Sequence, residues 1–214
     1  MKYTALCYVF LLFLLPYVAS YRYLKLALQW PTGVCANRKC VKNTHRTDFG
    51  IHGLWPQNRI GYPFKCTNSA LNLTLINNLI PGLTTSWSSL FFQQDSVFWS
   101  HEWSEHGTCS EHVLDQHAYF QLALNMKNFA DLPGALTRAN IRPSNTTLYN
   151  TARFSAAIKG QISINATPEL TCANPTVLTE VRLCLIYNGT SFINCPYAGN
   201  CLRNPTVRFL QPPT

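Results

Sequence analysis

The stretch Tyr23-Leu24-Lys25-Leu26-Ala27-Leu28-Gln29-Trp30 alternates strictly, with Leu24, Leu26, Leu28 and Trp30 on one face and Tyr23, Lys25, Ala27 and Gln29 on the other. That two-residue period predicts a half-buried β-strand. Val181 to Tyr187 repeats it, with Val181, Leu183, Leu185 and Tyr187 facing one way. Phe49 to Trp55 reads as another strand, an aromatic and β-branched run ended by Pro56, and Phe192 to Cys195 and Val207 to Leu210 read as two short ones. In the middle the period becomes helical. Asp95 or Ser96 can cap a helix that runs through Trp99 and Trp103 and stops at Gly107. A second helix carries Leu114, Tyr119, Leu122, Met126 and Phe129 at helical spacing, and Thr147 to Lys159, closed by Gly160, reads as a third. Strands at both ends around a helical centre predict an α+β fold with a mostly antiparallel sheet. No repeat, charge block or low-complexity linker divides residues 21–214, so one domain is expected, with its least regular part between Asn58 and Leu90.

The chain has 214 residues, 47% hydrophobic and only 12% charged, which excludes a disordered chain and a coiled coil. Seventeen Lys and Arg against nine Asp and Glu give a formal charge of +8 and a pI near 9.1, a general attraction for polyanions. Residues 1–20 read as a secretory signal: Lys2, an apolar run from Leu6 to Leu15, the breaker Pro16, then Val18-Ala19-Ser20 before Tyr21. The run is shorter than the roughly 20 residues a spanning helix needs, so a secreted, extracellular protein with no membrane anchor is expected. Cys7 leaves with the leader. Of nine cysteines, eight remain (Cys35, Cys40, Cys66, Cys109, Cys172, Cys184, Cys195 and Cys201), an even set that predicts four disulfides in an oxidising compartment. Their spacings lack the paired C-x-x-C knuckles of a zinc site. Sequons at Asn72, Asn145, Asn165 and Asn188 fit a glycoprotein, while Asn204 is excluded by Pro205.

Three of the six histidines sit in two unusual contexts. In Phe49-Gly50-Ile51-His52-Gly53-Leu54-Trp55-Pro56, alternation places His52 opposite Ile51, with glycines nearby that leave its ring open. In Trp99-Ser100-His101-Glu102-Trp103-Ser104-Glu105-His106-Gly107-Thr108-Cys109, a helix turning about 100° per residue puts His101, Glu105, Glu102 and His106 at roughly 0°, 40°, 100° and 140°, on one face. Such a face suits a solvated polar surface, a metal site or acid–base catalysis. The zincin pattern needs imidazoles four apart, and here they are five apart. Histidine titrates near neutrality and a neighbouring carboxylate can orient it, so a strand histidine facing a helix histidine makes an acid and a base without a metal. His45, His112 and His117 lack such contexts and are expected at the surface.

Phe49 to Pro56 and His101 to Cys109 resemble the two active-site segments of the ribonuclease T(2) family. Tyr23 to Pro31 and the eight-cysteine layout are similar to the plant S-RNases within it, pistil proteins of gametophytic self-incompatibility. The resemblance spans essentially the whole mature chain. It implies an α+β fold and cleavage of single-stranded RNA with no metal or cofactor. His106 would take the proton of the ribose 2′-OH and His52 would protonate the departing 5′-oxygen, leaving a 2′,3′-cyclic phosphate. His101 would contact the phosphate, Glu102 would stabilise the reacting centre, and Trp55 would either stack on a base or pack in the core. The same resemblance implies disulfides Cys35–Cys40, Cys66–Cys109, Cys172–Cys201 and Cys184–Cys195.

One position departs from the family. Lysine usually precedes the last histidine of the second segment, and here Glu105 stands there. A carboxylate is expected to repel the phosphorane, raise the pKa of His101 and His106, and slow the reaction unless Lys or Arg from another loop compensates. Three functions follow: an S-RNase acting in the style, a monomer with pollen F-box proteins as partners; an S-like ribonuclease of defence or phosphate scavenging; and a secreted recognition glycoprotein that has lost catalysis. The basic pI favours the first.

Overall fold

The computed structural model describes residues 21–42, 45–161 and 166–213; the expected leader, residues 1–20, and the sequon residue Asn165 lie outside the described residues. β1 (Tyr23–Gln29) is followed by α1 (Pro31–Cys35), whose first residue is a proline preset for helix. The chain returns as β2 (Gly50–Gln57), then passes through a 3-10 helix, Leu73–Leu79, into α2 (Ile80–Ser86). α3 (Asp95–Glu105) ends in a 3-10 turn, Gly107–Cys109, before α4 (Gln116–Ala130) and α5 (Leu132–Arg138). β3 (Leu148–Asn150), α6 (Thr151–Gln161), β4 (Glu169–Ala173), β5 (Val177–Ile186), β6 (Phe192–Ile193) and β7 (Thr206–Arg208) complete the chain. β1 lies between β2 and β5, antiparallel to both. β4 and β6 also run antiparallel to β5, β3 runs antiparallel to β7, and β7 meets β5 in the one parallel pairing among the described residues. The fold is therefore α+β with a mostly antiparallel sheet in one disulfide-bonded domain.

β1 departs from the half-buried expectation, because all seven of its residues are buried. Leu24, Leu26 and Leu28 enter an apolar core with Ile51, Leu54, Tyr119, Phe120, Val181, Leu183 and Leu185. On the opposite face Lys25 and Gln29 are also covered, and Lys25 pairs with Glu169 of β4 at 2.8 Å. The alternation thus separates an apolar layer from a buried ionic one. β2 does not stop at Pro56. It continues to Gln57, because it is the edge strand, where a residue without an N–H is tolerated.

The helices correct several expected boundaries. Asp95 is the first residue of α3 and does not cap it: its carboxylate accepts from the Ser89 N–H and the Ser88 hydroxyl and pairs with Lys42. The helix stops at Glu105, two residues short of the expected stop at Gly107, and His106 leaves helical geometry at φ −126°. α4 is capped by Asp115, which accepts from the Ala118 N–H. It buries Tyr119, Phe120, Ala123 and Leu124, whereas Leu122 and Met126 are partly buried and Phe129 is 54% exposed. The expected stripe followed the large residues and missed the small Ala123. Residues 148–150 pair with β7 instead of opening a helix, so the third expected helix begins at Thr151 and runs past Gly160. Between Asn58 and Leu90, residues 58–72 are irregular, but the 3-10 helix and α2 follow.

Four disulfides brace these elements. Cys35–Cys40 closes the loop after α1, Cys66–Cys109 ties the irregular segment to the turn after α3, and Cys172–Cys201 and Cys184–Cys195 hold the C-terminal strands. Leu26 is fully buried at the centre of the sheet. With the disulfides intact, Leu26→Ala should destabilise the fold by about 2–5 kcal/mol in urea unfolding, the usual cost of such a cavity; a loss below about 1 kcal/mol would contradict this placement.

Candidate active site

The site begins with one extra residue in β2. Ala27 pairs with Gly53 and Leu28 with Ile51, so His52 is left over as a β-bulge. A bulge re-aims side chains and shifts the alternation by one. Ile51 and Leu54 consequently face the core, while His52, Trp55 and Gln57 face a cleft on the other side of the sheet. Strict alternation would have put Leu54 beside His52. Gly53 is required here, since a Cβ would lie 2.1 Å from Trp55 Nε1 and 2.2 Å from Glu102 Oε2. α3 supplies the opposite wall through His101, Glu102 and the residue after its last turn, His106, whose N–H still bonds the Glu102 carbonyl at 3.0 Å. Gly107 next to it lies against Trp103, whose ring a Cβ would meet at 2.3 Å.

The cleft, about 400 Å³, is lined by Lys25, His52, Trp55, Gln57, Tyr62, His101, Glu102, His106 and Arg182. His52 Nδ1 lies 2.6 Å from Glu180 Oε1 of β5, and its Nε2 lies 3.9 Å from Glu102 Oε1. Trp55 Nε1 donates to Glu102 Oε2 at 2.9 Å, and the indole ring sits 5.0 Å from the His52 ring and 5.5 Å from that of His106. Both histidines therefore lie against the ring of one tryptophan and line the same cleft.

Their electrostatics point in opposite directions. Burial disfavours the His52 cation, but the hydrogen bond to Glu180 and the carboxylates of Glu180 and Glu102 outweigh it and raise the pKa above the ordinary histidine value, against the nearby Arg182. Glu180 in turn, despite burial, is held down to about 2 by His52 and Arg182. Among the described residues, no carboxylate bonds the His106 ring, and its buried Nδ1 has no hydrogen-bond partner. Burial, with the positive charge of His52 and His101, lowers its pKa to about 4, only partly opposed by Glu105. The expected rise at His106 is thus reversed, because desolvation exceeds the attraction of an adjacent carboxylate. Glu102 is raised to about 7 by burial and by the charge of Glu180 and Glu105, against the opposing pull of His52 and the Trp55 hydrogen bond.

The remaining residues singled out from the sequence fall as follows. His101 is exposed at the rim of the cleft. Glu105 turns away to pair with Lys65 Nζ at 3.1 Å, and the Lys65 N–H bonds the Glu105 carbonyl. Among the other histidines, His45 and His112 are exposed and His117 is half-buried. Asn72 and Asn145 are exposed and Asn188 is half-buried. Sequence reasoning missed Glu180, Arg182, Lys25, Glu169 and Tyr62. The available signal was Glu180 and Arg182 alternating with Leu183 and Val181 along a strand, which marks a polar face without saying that it is buried.

Residues 21–195 match the family described as Ribonuclease T2. "Extracellular ribonuclease LE" of Solanum lycopersicum is 39% identical over 188 residues, 81% of this chain and 80% of the relative. "Ribonuclease S-7" of Nicotiana alata is 30% identical over 207 residues, 92% of each. Among solved structures, ribonuclease MC1 from bitter gourd seeds superposes with a TM-score of 0.80 at 31% identity, over 88% of this chain and 100% of the other.

Because the Gly53 position is occupied by the Trp55–Glu102 hydrogen bond, Gly53→Ala must displace both side chains. Turnover should fall about 10²-fold, the cost of misplacing reacting groups by about 1 Å. Steady-state assays beside a thermal melt check this, and unchanged kcat in a folded variant would contradict it.

Proposed function

We propose that this chain, which belongs to the ribonuclease T2 family and is an endoribonuclease of its type, cleaves single-stranded RNA by metal-free transphosphorylation, with His106 as general base and His52 as general acid. The observation that carries this assignment is two imidazoles lining one cleft, one with a buried carboxylate 2.6 Å from its Nδ1 and the other with an unpartnered Nδ1, a contrast that pushes their pKa values in opposite directions. His106 is neutral at neutral pH and takes the proton of the ribose 2′-OH. That oxygen attacks the adjacent phosphorus, the P–O5′ bond breaks, and the Nε2 proton of His52 passes to the departing 5′-oxygen. The products are a 2′,3′-cyclic phosphate and a free 5′-OH, and solvent exchange restores both rings. DNA lacks the attacking hydroxyl.

The other side chains have supporting roles in this reading. Glu102 carries a proton over much of the range below its raised pKa of about 7, so it donates to a phosphate oxygen instead of repelling it. His101 at the rim contacts the phosphate. Trp55, half-buried, and Tyr62, 57% exposed, offer ring surface to an unpaired base. The ion pair with Lys65 supports compensation for Glu105, because the carboxylate is directed toward an ammonium and does not line the cleft.

We further propose that the protein is a secreted monomeric glycoprotein. Support comes from the leader sequence, four disulfides, the exposed sequons and an extracellular relative. The basic pI, the cysteine layout and the likeness to a ribonuclease S-7 support a pistil S-RNase that meets pollen F-box proteins. The higher identity to ribonuclease LE favours a second reading, an S-like ribonuclease of defence or phosphate scavenging. Transcript confined to the style supports the first, and transcript in leaf or root supports the second.

Digestion of single-stranded RNA by the purified glycoprotein in EDTA should yield 2′,3′-cyclic phosphate ends, and His106→Ala should remove about 10²–10⁴ of the rate. The kcat/KM profile should rise as pH passes about 4, where His106 loses its proton, and fall above the raised pKa of His52, where the acid is lost. Correctly folded protein that leaves RNA intact would instead favour the recognition-only function. Since Lys65 already offsets Glu105, Glu105→Lys should change kcat/KM less than about tenfold, whereas a gain of about 10²–10³ would identify a missing electrostatic donor.

A further inference from the structure

We propose that Glu180 is the positioning residue for His52, and that Arg182, Glu169 and Lys25 form a buried strut that holds Glu180 in place. The inference rests on the reading of His52 as the acid. Glu180 Oε1 lies 2.6 Å from His52 Nδ1. Its other oxygen receives Arg182 through Nε and Nη2, both at 2.8 Å. Arg182 Nη1 donates to Glu169 Oε1 at 2.8 Å, and Glu169 Oε2 pairs with Lys25 Nζ at 2.8 Å. Charge therefore alternates from Lys25 through Glu169, Arg182 and Glu180 to the imidazole.

Backbone register fixes the strut. Glu180 and Arg182 are two apart on β5, Glu169 on β4 stands opposite Arg182, and Lys25 on β1 stands opposite Cys184 of β5. Lys25, Glu169 and Glu180 are each 6–7% exposed. A buried ionic network gains little stability over packed apolar side chains, so four charged residues under one cleft call for a use beyond packing. Their arrangement supplies one. Without Glu180, His52 would face burial and the Arg182 guanidinium from β5, with Glu102 of α3 as the remaining carboxylate and His106 on the far side of Trp55. Each of the first two favours the neutral ring.

Glu180 also decides which nitrogen works. It accepts the Nδ1 proton, so the second proton of the imidazolium sits on Nε2 at the cleft. In the transfer the Nε2–H bond breaks, the O5′–H bond forms and the P–O5′ bond breaks. The ring is then neutral, still protonated on Nδ1, and its Nε2 lone pair faces the cleft, ready for the proton of a water that later opens the cyclic phosphate. A carboxylate on Nδ1 therefore suits both directions of proton transfer.

The test compares two substrates. RNA has a poor alkoxide leaving group that needs the acid, whereas a nucleoside 3′-(4-nitrophenyl phosphate) leaves as nitrophenolate and needs none. Glu180→Gln should lower kcat on RNA roughly ten- to a hundredfold, a fraction of the about 10²–10⁴ a positioned acid contributes, and lower it less than about threefold on the activated ester. The alkaline limb of the RNA profile should move to lower pH, and Glu180→Asp, which keeps the charge, should restore much of the rate. Arg182→Met, which frees Glu180 from its holder, should show the same substrate preference in weaker form. An equal fall on both substrates with an unmoved alkaline limb, or no fall on RNA, would overturn the proposal. If His52→Ala itself loses both substrates equally, the reading of His52 as acid fails independently of Glu180.

Discussion

The hydrogen bond between Glu180 and His52, 2.6 Å long, joins the cleft to the centre of the sheet. It depends on the bulge that turns His52 away from the core and on the pairing of β4, β5 and β1 that brings Glu169, Arg182 and Lys25 into line. The strand pair β1 and β5 thus has two functions. Its apolar face joins the core that Tyr119 and Phe120 of α4 complete, and its polar face carries the ionic chain from Lys25 to Glu180. The same pairing that stabilises the domain fixes the position of His52.

The asymmetry between His52 and His106 follows from how each ring is partnered. Both lose water, and loss of water alone disfavours the cation. His52 recovers its proton because a buried carboxylate meets Nδ1, whereas His106 meets none and has an unpartnered Nδ1. Trp55 touches both rings and donates to Glu102, whose other oxygen lies 3.9 Å from His52 Nε2. One fold can therefore hold two imidazoles in opposite protonation states at the same pH.

Much of this was legible in the sequence. The alternation at Tyr23 to Trp30 and Val181 to Tyr187 located the central strands because their apolar faces are continuous, and helical spacing placed His101, Glu102 and His106 along one wall. The rest was hidden for physical reasons. A bulge is a property of two paired strands, so Phe49 to Pro56 alone could not show that Trp55, and not Leu54, would share a face with His52. Polar residues read as solvent-facing, so burial of Lys25 and Glu180 emerges only when their partners arrive from β4 and β5. Glu105 alone suggests a raised His106 pKa, but that carboxylate is turned toward Lys65 and burial, which adjacency in sequence does not show, dominates.

The contrasting surroundings of the two rings predict one histidine charged and the other neutral in the resting site. Nitrogen-15 and carbon-13 NMR of the histidine-labelled protein near pH 6, assigned with His52→Ala and His106→Ala, tests it directly. The account predicts His52 as an imidazolium, with a strongly downfield Nδ1 proton, and His106 as a neutral ring that protonates only as the pH approaches about 4. Two rings titrating together near the ordinary histidine value, or the reverse order, would contradict it.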